Sequence, residues 1–138
     1  MRPIRRLTPA ALCLILVAGP AAAQEVDCAN AMAQAELNQC AYQDWQQQDA
    51  ALNAAYGRAV ALLKEWDAGL PEAERGGRAA LQEAQRAWII FRDKACEAEG
   101  YAMHGGSAEP LLVYGCMARL TEDRTRQLTE MVEAYGAN

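Results

Sequence analysis

The chain has 138 residues, with 13 basic and 18 acidic side chains and a formal net charge of −5. That length supports one small domain, and the acidic balance argues against nucleic-acid binding while suiting solubility or a basic partner. One histidine, and cysteines whose spacing includes no CxxC, give no sign of a metal site.

Arg2, Arg5 and Arg6 precede an apolar run over residues 7–19, and Ala21, Ala22 and Ala23 follow it. This is the layout of a secretory signal peptide spanning residues 1–23, with cleavage after Ala23. The run is shorter than the roughly 20 residues of a membrane-spanning helix, and no later segment is longer. The expectation is an exported protein, periplasmic or secreted, with a single helical domain over 24–138. Loss of residues 1–23 removes three arginines and no acidic residue, leaving ten basic against 18 acidic side chains, a net charge of about −8. Cys13 leaves with the signal, so four cysteines remain.

Residues 24–35, which include Cys28, show no clear period. From 36 to 66 the pattern is helical: Leu37, Cys40 or Ala41, Trp45, Leu52, Tyr56, Ala59 or Val60, Leu63 and Trp66 share one side. Asp49 and Asn53 lie one turn apart at the edge of that stripe. Residues 67–77 hold Gly69, Pro71, Gly76 and Gly77 and read as a connection.

A second helix is expected over 78–99. Leu81, Ala84, Trp88, Phe91 and Ala95 fall on one face, and Gln85, Arg92 and Cys96 fall on or beside it. Polar groups inside an apolar stripe imply partners on other segments. The short connection makes the first two helices antiparallel neighbours, and counting outward from it sets Asp49 opposite Arg92 or Asp93 and Asn53 near Ile89.

Residues 100–110 form a second loop around Gly105 and Gly106, with Ser107 or Glu109 as a cap and Pro110 in the first turn of the next helix. Leu112 or Val113, Cys116, Leu120, Arg124, Leu128, Met131 and Tyr135 then recur at helical steps. Thr121, followed by Glu122 and Asp123, has the form of an N-cap, a point where this helix can be interrupted. The fold expected is all-α, an antiparallel bundle of three main helices stapled by two disulfides.

Four cysteines allow three pairings. The antiparallel register sets Cys40 opposite about residue 102, near Cys96, which favours Cys40 with Cys96 and Cys28 with Cys116, as structural staples. Asp49, Asn53, Gln85, Arg92 and Arg124 read as a buried polar network joining the helices in preference to a binding pocket, because a guanidinium carries five donors in a fixed fork. Trp45, Trp66 and Trp88 read as core. No nucleophile with an adjacent base appears, so neither an enzyme nor a cofactor is expected.

Taken in order, Cys28, Cys40, Asp49, Leu52, Asn53 and Tyr56, then Leu81, Gln85, Trp88, Phe91, Arg92 and Cys96, then Gly105, Gly106, Ser107, Cys116, Leu120, Thr121, Arg124 and Leu128, form a pattern. It resembles the small secreted lysozyme-inhibitor LprI family, in its N-terminal domain, across nearly all of residues 24–138. The resemblance implies a helical envelope protein without enzymatic activity, with lysozyme as partner. Lysozymes are basic, so an acidic inhibitor gains association rate by electrostatic steering. Tyr101, His104, Gly105, Gly106 and Ser107 make the candidate inhibitor loop, with the plainer role of turning the chain and capping a helix beside it. A structural or stress-related envelope interaction module, or a carrier of a small apolar ligand, is the alternative.

Overall fold

The computed structural model describes residues 26–136. Three long helices follow one another, α1 (Gln34–Ala68), α2 (Gly77–Gly100) and α3 (Glu109–Tyr135), with one 3₁₀ turn in each connection, at Glu72–Glu74 and Tyr101–Met103. The expected three-helix, twice-stapled all-α fold is therefore the one the chain adopts, and no strand occurs among the described residues. The signal-peptide expectation for residues 1–23 lies outside the described residues.

The helix ends follow from local chemistry. Glu36 reaches back from the first turn of α1, and its Oε2 accepts the N–H groups of Met32 and Ala33, each at 3.1 Å. Asp67, in the last turn of α1, caps α2 across the connection: its carboxylate accepts the N–H groups of Gly76 (3.1 Å), Gly77 (2.9 Å) and Arg78 (3.1 Å). These are donors that a helix start otherwise leaves to water. Pro110 sits in the first turn of α3, where a missing N–H costs nothing. Ala108 holds the N-cap position there without a side-chain bond, so neither Ser107 nor Glu109 plays the expected capping part.

Three contacts set the topology. Asn38 Nδ2 donates to the Ser107 carbonyl at 2.9 Å, Trp45 stacks on Tyr114 at 5.8 Å, and Trp66 meets Tyr135 edge-to-face at 6.2 Å. Each pair is separated by 69 residues and the order is the same along both helices, so α1 and α3 run parallel and α2 returns antiparallel between their ends. The α1–α3 pair is the most closely packed in the bundle and α1–α2 the least. The α1–α2 connection makes those two helices antiparallel neighbours, as expected, but the closest pairing is α1 with α3. Ala55 and Ala59, both fully buried, let α3 approach α1 closely. The core around them is Leu52, Leu81 and Leu128, with Tyr56, Val60, Leu63, Trp88, Met131 and Val132 packed against it. Full burial of a leucine such as Leu52 contributes roughly 1.5–3 kcal/mol.

Three further expectations are corrected here. The buried face of α2 runs through Leu81, Gln85, Arg92 and Cys96, while Ala84 and Phe91 point outward. Successive helical residues are about 100° apart, so bringing Arg92 inward turns Phe91 away. Trp66, assigned to the core, is 40% exposed at the open end of the bundle. Helix α3 continues through Thr121, which is fully buried and caps nothing; its carbonyl accepts the hydroxyl of Thr125 at 2.9 Å.

The disulfides are Cys28–Cys40 and Cys96–Cys116, replacing the expected Cys40–Cys96 and Cys28–Cys116. Both bridges are local. The lead-in folds back so that Cys28 meets the second turn of α1, and Cys96 and Cys116 face each other across the α2–α3 corner with Cα atoms 5.4 Å apart. The face that each helix presents decides which sulfurs meet, and Cys40 meets the lead-in.

Candidate functional site

Two polar clusters lie in the seams of the bundle. In the first, Arg92 is 6% exposed on α2. Its Nη1 donates to Asp49 Oδ1 on α1 and to Thr121 Oγ1 on α3, both at 3.4 Å. Its Nε and Nη2 reach Asp93 Oδ1 at 2.9 and 2.8 Å. Asn53 Nδ2 donates to the other Asp49 oxygen at 3.1 Å. The guanidinium carbon lies 5.6 Å from the Trp45 ring centre and 5.2 Å from that of Trp88, so two aromatic rings flank the charge. In the second cluster Arg124 Nε donates to Gln85 Oε1 at 3.1 Å and its Nη1 to Gln127 Oε1 at 3.1 Å. Burial pulls the pKa of Arg124 down from its ordinary value.

The structure thus gathers Asp49, Asn53 and Arg92 at one point and Gln85 with Arg124 at another, and Asn53 and Gln85 line one groove of about 230 Å3 between α1 and α2. Thr121 belongs to the first cluster and escaped the sequence reading because its acidic followers imitate a helix start. In the first cluster the charge of Arg92 is matched by Asp49 and Asp93, the condition of a structural tie rather than of a reactive centre, whereas Arg124 is held by the amide oxygens of Gln85 and Gln127 and has no ion-pair partner among the described residues. Among the described residues no group of three or more His, Cys, Asp or Glu side chains is placed to hold a metal ion.

The α2–α3 corner is built differently. Gly100 ends α2 with its backbone against α3: a Cβ there would stand 2.6 Å from Val113 Cγ2, so only glycine permits the approach. Tyr101 and His104 stack with ring centres 4.5 Å apart and planes within 5°. Glu109 holds the turn, its Oε2 accepting the Gly105 N–H at 2.7 Å and its Oε1 lying 3.2 Å from His104 Nδ1. The Gly105 bond, and after it His104, keep this carboxyl below the usual carboxylate range. Gly105 has φ 74°, the left-handed region that glycine enters without strain. Gly106 N–H donates to the Met103 carbonyl at 2.9 Å, and the Ser107 carbonyl is tied to Asn38 on α1. With the Cys96–Cys116 bridge below it, this corner presents Tyr101 (61% exposed), Met103 (51%) and His104 at the end of the bundle.

The family model described as "Lysozyme inhibitor LprI" matches residues 27–128. An uncharacterized protein of Rhizobium meliloti (strain 1021) is 44% identical over 136 residues, covering 95% of this chain and 98% of that protein. The uncharacterized protein YecT of Escherichia coli (strain K12) is 32% identical over 100 residues, 67% of this chain and 60% of YecT. No solved structure matches the chain. The matched span holds all three helices nearly to the end of α3 and all four disulfide cysteines, and on that correspondence the chain belongs to the LprI lysozyme-inhibitor family.

Proposed function

We propose that the chain is exported, loses residues 1–23, and inhibits lysozyme by binding it, with no chemistry of its own. The observation that carries this reading is the family match over residues 27–128. Two stapling disulfides suit an oxidising, extracytoplasmic setting. No helix among the described residues is long and apolar enough to cross a membrane.

The corner at residues 101–109 is the proposed contact. An exposed tyrosine already stacked on a histidine loses little side-chain freedom on docking, and aromatic anchors of this kind dominate binding energies at protein interfaces. Gly105 and Gly106 set its shape, and Ser107 anchors it through its backbone. With residues 1–23 lost, 18 acidic side chains stand against ten basic ones, a balance that favours encounter with a basic enzyme.

A turbidity assay tests the proposal: purified protein beginning at Gln24, lysozyme, and a suspension of Micrococcus-type cell walls. Clearing is expected to slow at micromolar protein in low salt and to recover as salt is raised. Unimpeded clearing at micromolar protein in low salt rejects it.

A further inference from the structure

The seam between α1 and α2 is the least closely packed of the three, and it leaves the groove of about 230 Å3 in which Gln85 stands. Asn53 and Tyr56, about one turn apart on α1, line one wall; Gln82, Gln85, Arg86 and Ile89, at steps of three, one and three on α2, line the other. No Asp or Glu is among them. Arg86 is the single ionised side chain of the lining, and it takes part in none of the ion pairs among the described residues. Glu83, three residues before it, forms no ion pair with it, and Asp49, one turn from Asn53, has one oxygen on Arg92 and the other on Asn53.

Gln85 differs from its neighbours in the groove, because it is only 8% exposed and its two ends are unequally used. A guanidinium can only donate, so the atom that faces Arg124 Nε at 3.1 Å is the amide oxygen, and the amide nitrogen is the end left over. That nitrogen donates to no group among the described residues, and an enclosed donor without a partner is costly. Behind it, Arg124 adds a second positive charge that no carboxylate among the described residues matches.

These groups select one kind of ligand. A guanidinium and a neighbouring amide offer planar N–H donors, which a carboxylate accepts with its two oxygens. Ile89, 40% exposed, and Tyr56 give the same groove an apolar wall, which suits a short hydrocarbon stem and offers nothing to a fully hydrated phosphate. The volume admits only a few heavy atoms, either a whole small acid or one end of a longer chain.

We infer that the α1–α2 groove binds a carboxylate carried on a small apolar stem, held by Arg86 and the Gln85 amide with Ile89 and Tyr56 against the stem. A free small acid and the C-terminal end of a peptide carry this same chemistry. The site is independent of the inhibitor reading, and its test does not involve lysozyme.

The test follows side-chain amide NMR signals of protein beginning at Gln24, with isobutyrate as the probe, isobutyramide as its neutral isostere and inorganic phosphate as a second anion. The Gln85→Glu variant identifies the Gln85 signal by its absence. Isobutyrate is expected to shift the Gln85 and Gln82 signals saturably, with a dissociation constant on the order of millimolar, while isobutyramide leaves them in place. Arg86→Gln, a change at an exposed position, is expected to melt as the wild type does and to bind isobutyrate at least fivefold more weakly. Gln85→Glu gives Arg124 a carboxylate of its own, and is expected to melt no lower than the wild type and to bind no isobutyrate as read at Gln82. Unmoved signals in the wild type, equal shifts from isobutyramide, or unchanged affinity in Arg86→Gln overturn the site. Phosphate bound more tightly than isobutyrate overturns the carboxylate as its ligand. Acetylated dialanine with a free carboxylate, beside its C-terminal amide, separates the two sources: tighter binding than isobutyrate assigns the groove to a peptide end, and weaker binding assigns it to a free small acid.

Discussion

Arg92 on α2 and Thr121 on α3 meet at 3.4 Å in the interior, guanidinium to hydroxyl, where Thr121 is fully enclosed. The same Nη1 reaches Asp49 on α1, so a single nitrogen touches both other helices. A polar contact enclosed in this way fixes register more than it adds stability, because the desolvation of the charge offsets much of the attraction.

Removing the charge should be costly all the same. Arg92→Met leaves Asp49 and the Thr121 hydroxyl without their partner. Losing one side of a buried pair costs about 3–5 kcal/mol, and Asp49, 41% exposed, is partly compensated by water, so about 3 kcal/mol is expected. The thermal midpoint should fall by roughly 10 °C. An unchanged melt accompanied by lost inhibition would show instead that the cluster serves binding.

Thr121→Val keeps the shape and removes the acceptor. Loss of one hydrogen bond to a group that retains Asp49 should cost about 1 kcal/mol. The urea midpoint should fall with no change in slope; a changed slope would mean that α3 has broken at this point.

Asp67→Asn tests the cap that α1 supplies to α2. The N–H groups of Arg78, then Gly76 and Gly77, hold this carboxyl below the usual carboxylate range. A folded-state pKa lower than the unfolded one stabilises at pH above the unfolded value, and that stabilisation disappears as pH falls through the folded one. The variant should therefore melt a few degrees below the wild type at pH 7, and the two curves should converge in strong acid. A difference of the same size at every pH would reject a charge-based cap.

The two disulfides should differ in weight. Cys96 and Cys116 are buried and close a separation of 20 residues at the corner, whereas Cys28 is exposed and Cys28–Cys40 closes 12 residues of lead-in. Replacing Cys96 and Cys116 by serine should cost about 3 kcal/mol or more, and the same change at Cys28 and Cys40 should cost less. Peptide mapping without reduction should return the two local pairs; a peptide joining Cys40 to Cys96 would contradict the fold described above.

How much of this was legible in the sequence is clearest at α2. Its existence, its length, and the anomaly of Gln85 and Arg92 within an apolar stripe follow from residue spacing, because helical period is a local property. Which side of the helix faces inward is not local. Phe91 and Arg92 are neighbours in sequence and competed for the interior, and Arg92 is inside because Asp49 and Thr121 meet it there, a fact held by two other helices. The cysteines repeat the lesson: their number and export context indicate two bridges, yet the pairing follows from the faces that Cys40 and Cys96 present.

The candidate corner divides the same way. Gly105 and Gly106 announce a turn that other residues would strain, but the stacking of Tyr101 on His104 and the hold of Glu109 on Gly105 exist only once α2 and α3 are brought side by side. The sequence by itself determined three amphipathic helices, two breaker-rich connections, the acidic charge and the family pattern, all readable along the chain. Only the tertiary structure decided that α1 pairs most closely with α3, that Phe91 lies outside, and which sulfurs join, because each of these depends on side chains from distant segments contending for the same limited interior.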